Sequence, residues 1–135
     1  MAINFQRLES LAHALKHTQQ TGQSFHVTFV YHGSKLIKIG QNNYNKLHRS
    51  HKYGDYLPYK NVKSNYVAGI HSEISAIIRL GDNDCFDYTF VNVRIGNDGE
   101  PKISKPCQNC LKVMRQIGYK AIWYYDGVKY VKEKY

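Results

Sequence analysis

No stretch of this chain approaches the roughly 20 consecutive apolar residues that a membrane span requires, which leads us to expect a soluble protein with no membrane partner. The opening residues, MAINFQRLES, lack the basic segment and long apolar run of a secretory signal. The expected location is therefore the cytoplasm, or the host cytoplasm if the chain is viral. Cysteine is sparse and odd in number: there are three, and Cys107 and Cys110 stand three positions apart. That spacing suits a metal site in a reducing compartment better than a disulfide framework. Internal repeats and low-complexity tracts are absent.

Acidic side chains are also scarce, with 10 Asp and Glu against 19 Lys and Arg, a net charge of +9. The excess fits a polyanionic partner, although solubility alone would also account for it, because net charge bears on association rather than on fold. At 135 residues and 42% hydrophobic content the chain can bury one sizeable core and is short for two, so residues 1–135 read as a single domain.

The periodicity divides the chain into alternating elements. Leu8, Leu11, Ala12 and Leu15 recur at helical spacing, with Asn4 as N-cap and Gly22 just beyond the end. SFHVTFVY and KLIKIG, joined by HGS, read as a β-hairpin. From Gln41 to Tyr66 periodicity is lost, and a segment of that length inside a compact domain tends to be functional or disordered. SEISAIIRLG is a short helix ending at Gly81, and DYTFVNVRIG is apolar enough to be a central strand. After the loop NDGEPKISKP, CQNCLKVMRQIG reads as a helix with Gly118 as its stop, followed by the strand KAIWYY. Asp126-Gly127 then sets a tight turn before VKYVKEKY. The third and fourth strands bracket a helix and should be parallel.

Two fragments carry chemistry: HSE at 71–73 and PCQNC at 106–110. His71 offers a nitrogen, while Cys107 and Cys110, three apart at a helix start, offer two thiolates that the helix N-terminus favours; the set suits Zn²⁺. A fourth tetrahedral position is left for water, and Glu73 beside it can take up that water's proton and pass it to a leaving amine. The alternative is a purely structural zinc site. It needs a fourth protein ligand, from Cys85 or one of the other six histidines, and no spacing singles one out.

HSE followed by PCQNC resembles the H-x-E…P-C-x-x-C signature of the zinc-dependent nucleobase deaminases. The element order is similar as well, so the likeness covers nearly the whole chain, most closely to small phage and viral cytidine and deoxycytidylate deaminase-like proteins. The resemblance implies an α/β fold of the cytidine deaminase-like type, three layers with a five-stranded mixed sheet and a C-terminal β-hairpin. It also implies hydrolysis of cytosine to uracil, with His71, Cys107 and Cys110 as zinc ligands and Glu73 as the proton-transfer group. By the same likeness Asn42, in GQN after the second strand, would contact sugar or base, unless it is an ordinary turn residue. Ala68 would offer backbone groups to the pyrimidine edge. Ser104 and Lys105 would line the pocket before Pro-Cys, and Tyr124 would stack on a base, with core packing expected for Trp123 and Tyr125.

The carrier of the base divides the signals. Between 44 and 66, Lys46, Arg49, Lys52, Lys60 and Lys63 oppose only Asp55 and interleave with Tyr44, Tyr53, Tyr56, Tyr59 and Tyr66. Cations can track phosphates while aromatic rings take unstacked bases. A solvated loop whose tyrosines pack down on the domain is the bland alternative. The Asp126-Gly127 turn asks for antiparallel final strands, as in free cytidine deaminases and in bacterial toxin and plant organelle RNA-editing deaminases. Most deaminases of single-stranded nucleic acid, like the deoxycytidylate enzymes, run those strands parallel, whereas free cytidine deaminases usually carry cysteine at the position of His71. The expectation is a zinc-dependent cytosine deaminase of single-stranded nucleic acid, DNA slightly ahead of RNA. Free cytidine, deoxycytidine or deoxycytidylate is the alternative substrate, and a non-catalytic zinc-stabilised nucleic-acid-binding module the alternative class.

Overall fold

The structure, a computed structural model, describes residues 3–16, 25–42, 71–81 and 85–135. Its elements are α1 (Phe5–Lys16), β1 (Phe25–His32), β2 (Lys35–Gln41), α2 (Ser72–Leu80), β3 (Tyr88–Ile95), β4 (Pro101–Lys102), α3 (Gln108–Ile117), β5 (Ala121–Tyr125) and β6 (Tyr130–Lys134). Five strands run in the order β2-β1-β3-β5-β6, and the short β4 also pairs with β3. The β3–β5 pair is parallel and the other pairs are antiparallel, giving an open mixed sheet.

Side-chain alternation along the central strands explains the layers. Phe25, Val27 and Phe29 of β1 and Val91, Val93 and Ile95 of β3 share one core with Leu8 and Ala12 of α1. Val30, Phe90 and Ile122 point to the opposite face, where they pack with Ile74, Ala76 and Ile77 of α2 and Val113 and Met114 of α3. A strand covered on both faces has no wet side, which is why β3 is buried at most of its positions.

The local signals act as their chemistry predicts. Asn4 accepts the Arg7 N–H at 3.1 Å, as an N-cap should, whereas Gly22 lies outside the described residues. Gly81 closes α2 at φ 70°, donating to the carbonyls of Ile77 and Ile78. The 97–106 segment departs from the expected plain loop. Asp98 accepts the Glu100 N–H at 3.0 Å and Gly96 donates to the Glu100 carbonyl at 3.0 Å, a turn that folds Pro101 and Lys102 back against Ile95 and Arg94. The sheet therefore gains a sixth strand, too short for periodicity to reveal.

The topology opens one place in the sheet. Pairing between β3 and β5 runs from Thr89–Ala121 to Val91–Trp123. Beyond it Ser104 bridges the two strands: its N–H donates to the Tyr125 carbonyl at 3.0 Å, and its hydroxyl donates to the Asn92 carbonyl at 2.9 Å. Crevices at the carboxyl ends of parallel strands are where open α/β sheets bind ligands, and the chemistry-bearing residues gather here.

Candidate metal centre

Two helix starts deliver the donors. His71 precedes α2 in extended backbone, φ −73° and ψ 154°, and makes no side-chain cap. Its imidazole turns instead toward α3, where Nδ1 lies 3.5 Å from Cys107 Sγ and 3.3 Å from Cys110 Sγ. Cys107 is the N-cap of α3, and its sulfur accepts the Cys110 N–H at 3.4 Å. All three donor atoms lie within 4.8 Å of one another, and among the described residues no further His, Cys, Asp or Glu joins the group. Cys85, the candidate fourth ligand, is fully buried beneath the end of α3, where its N–H donates to the Ile117 carbonyl at 3.0 Å.

The donor set passes a metal test. Tetrahedral zinc with Zn–S near 2.3 Å and Zn–N near 2.0 Å would hold sulfur and nitrogen about 3.5 Å apart. The two nitrogen–sulfur separations, 3.5 and 3.3 Å, match that edge. Electrostatics of the metal-free cluster point the same way at one ligand. The Cys107 thiol is held down to about 4, first by its hydrogen bond with the Cys110 side chain and then by His71, so it is a ready thiolate. Its bond to Cys107, with burial, pushes Cys110 up. The same Cys107 contact raises His71. A cation would bind the three donors in their unprotonated forms and so would displace protons from the cluster.

Glu73 lies in the first turn of α2 and is buried, only 6% exposed. Burial raises its pKa, partly offset by a hydrogen bond from its own backbone and by the nearby His71. Its carboxyl closes a ring of polar groups. Oε1 is 3.1 Å from Ser72 Oγ, Ser72 Oγ is 2.8 Å from Thr28 Oγ1, Thr28 Oγ1 is 2.8 Å from Asn92 Oδ1, and Asn92 Nδ2 returns to Glu73 Oε2 at 3.1 Å. The second amide proton of Asn92 goes to the Ser104 carbonyl at 3.1 Å. Two hydroxyls and the remaining amide proton can serve only three of the ring's contacts.

His26 and Arg94 form the next cross-strand pair beyond Thr28 and Asn92 on this face. Burial, then Arg94, then His71 hold His26 down to about 4, so it is neutral at physiological pH. The Arg94 guanidinium donates to the Ile103 carbonyl at 3.4 Å.

The remaining expected site residues fall as follows. Asn42 is buried; its Oδ1 accepts the His26 N–H at 3.0 Å and its own N–H donates to the His26 carbonyl at 3.2 Å, which seals the end of the β1–β2 hairpin. Ser104 is buried, with its hydroxyl committed to the Asn92 carbonyl and the Tyr125 N–H. Lys105 is half exposed, 4.0 Å from Glu133 and 5.8 Å from the Tyr124 ring centre. Tyr124 is 8% exposed and belongs to the core on the α2–α3 face, with its hydroxyl donating to Glu133 at 3.2 Å. Trp123 packs on the opposite face, its ring 5.3 Å from Phe5. Ala68, Tyr44, Lys46, Arg49, Lys52 and Tyr53 lie outside the described residues. Thr28, Ser72 and Asn92 were not anticipated. Their one signal was an asparagine in the middle of a strand-like run, YTFVNVRI.

The chain therefore combines a mixed α/β fold with a His-Cys-Cys cluster whose spacing is compatible with zinc. No protein-family model, curated protein or solved structure matches it.

Proposed function

We propose that the protein is a zinc-dependent deaminase that hydrolyses cytosine to uracil in single-stranded nucleic acid, DNA ahead of RNA. One observation carries the reading: a three-donor cluster of His71, Cys107 and Cys110 accompanied by a buried carboxyl two residues along from His71, on the first turn of the same helix. A structural zinc site needs a fourth protein donor and has no use for such a carboxyl. A catalytic site needs an open position and such a carboxyl, and among the described residues no fourth donor joins the three.

Zn²⁺ held by His71, Cys107 and Cys110 would supply Lewis acidity that brings a water's pKa toward neutrality. Glu73 does the proton work. Its carboxylate takes a proton as water adds to C4 of cytosine and delivers it to the departing amine, so that ammonia leaves and the C4 oxygen remains. Burial suits Glu73 to both halves of that task, since a raised carboxyl pKa makes it a competent acid as well as a base.

A polymeric substrate is favoured by Lys46, Arg49 and Lys52, interleaved with Tyr44 and Tyr53, in the sequence ahead of His71. The second reading, a free cytosine nucleoside or nucleotide, draws on the antiparallel pairing of β5 with β6. The deciding experiment loads the purified protein with zinc and assays cytidine, deoxycytidine, deoxycytidylate, single-stranded DNA and single-stranded RNA side by side. Uracil from the oligonucleotides, lost in Glu73→Ala at undiminished zinc content, is the expected result. A wild-type protein with stoichiometric zinc that forms no uracil from any of the five would be a binding module, and the enzymatic reading would fall.

A further inference from the structure

We infer that Asn92 is a positioning residue, whose side-chain amide, aligned by Thr28, tethers the Glu73 carboxyl to the Ser104 segment that leads into Cys107. The inference rests on the deaminase reading for its catalytic consequence, and on geometry alone for the tether.

Asn92 occupies the middle of the most thoroughly buried strand and is only 4% exposed. Asparagine is a poor strand former, and burying its amide costs free energy that a valine there would not incur. Both N–H groups of the amide and its oxygen nonetheless have partners. Nδ2 donates to Glu73 Oε2 and to the Ser104 carbonyl, both at 3.1 Å, and Oδ1 lies 2.8 Å from the Thr28 hydroxyl. Because Oδ1 faces a hydroxyl and Nδ2 faces two acceptors, the amide has a single satisfactory orientation.

The two acceptors belong to the two halves of the cluster. Glu73 lies in the first turn of α2, directly after its N-cap His71 and Ser72, while Ser104 opens the segment that runs through Pro106 to Cys107. Ser104 is itself anchored to β5 through Tyr125. Asn92 therefore links the carboxyl to the thiolate side of the site without touching the metal donors. Thr28 reaches Asn92 and Ser72 but makes no hydrogen bond to Ser104, so it influences the carboxyl by aligning its neighbours.

The test has a spectroscopic arm and a kinetic arm. In zinc-loaded protein, the two Asn92 side-chain amide resonances are identified by their loss in Asn92→Asp. Both protons should exchange with solvent roughly 100-fold more slowly than those of an exposed asparagine, and Glu73→Ala should release one of them. In the kinetic arm, Asn92→Ala and Thr28→Val should each lower kcat by ~10- to 100-fold, with KM and zinc stoichiometry unchanged. Thr28→Ser, which keeps the hydroxyl, should restore kcat where the isosteric valine does not; a merely structural threonine would show the reverse. Should Asn92→Ala fail to fold, the Thr28 pair decides. Exchange at the exposed rate, or full kcat in Thr28→Val, overturns the inference. A wild type that forms no uracil defeats the deaminase reading and the catalytic role of Asn92 with it, whereas slow exchange released by Glu73→Ala would still establish the tether.

Discussion

Gly40 of β2 passes directly against Ala76 of α2, so that a Cβ at Gly40 would collide with the Ala76 amide nitrogen and the Ser72 carbonyl oxygen. Both obstacles are backbone and neither can swing aside. The glycine lets the helix that carries Glu73, and follows His71, settle onto the sheet. Gly40→Ala should therefore destabilise the fold by about 1 to 3 kcal/mol, as overpacking does, measured by urea denaturation. Because α2 must lift to make room, zinc occupancy should fall as well; unchanged occupancy and stability would show that the contact relaxes freely.

Metal removal should loosen the same region. A ligand that binds only the folded state at 100 times its dissociation constant adds about 2.7 kcal/mol of stability. Chelation should lower the melting temperature of the wild type and leave that of Cys107→Ser or His71→Ala nearly unmoved. Glu73→Gln should retain zinc, since it changes no donor of the cluster. Elemental analysis beside thermal melts checks each case.

His26 predicts an acid limb of stability. Its folded value of about 4 lies below the ordinary 6.5, so between those values the unfolded chain binds a proton that the folded chain refuses. Its contribution is complete above pH 6.5 and is lost as pH falls toward 4. Each tenfold change in proton affinity is worth about 1.4 kcal/mol, which makes the loss on the order of 3 kcal/mol. His26→Gln should narrow the gap between urea midpoints at about pH 7 and about pH 4.5 relative to wild type. An identical gap in both proteins would refute the assignment.

Charge removal at Lys46, Arg49 and Lys52 separates the two substrate readings. The triple Gln variant should lose oligonucleotide turnover most at low salt, where the phosphate contacts of the wild type are strongest, show a shallower salt dependence, and keep turnover of cytidine, because each phosphate contact releases a counterion. Equal oligonucleotide turnover by variant and wild type across the salt series would remove the polymer from consideration.

Periodicity made much of the fold legible. The 3.6-residue pattern of α1 and the Gly81 and Gly118 stops each rest on local backbone chemistry, so each could be read without knowing what lay across the sheet. The turn at Asp126-Gly127 is longer than expected, with four residues separating the paired Tyr125 and Tyr130. The short β4 escaped notice because two residues carry no period. The three candidate metal donors were legible from residue type and spacing. The ring around Glu73 was not, because Thr28, Ser72 and Asn92 lie on separate elements and each taken alone reads as an ordinary polar residue.

By itself the sequence determined the alternation of helices and strands, the parallel crossover and the candidacy of His71, Cys107 and Cys110 as metal donors, because those follow from interactions between near neighbours along the chain and from donor chemistry. Only the tertiary structure decided that Asn42 seals a hairpin, that Tyr124 is packed into the core, and that Asn92 reaches both Glu73 and Ser104. Hydrogen bonding and burial depend on which groups the folded sheet brings within about 3 Å, and no spacing along the chain encodes that distance.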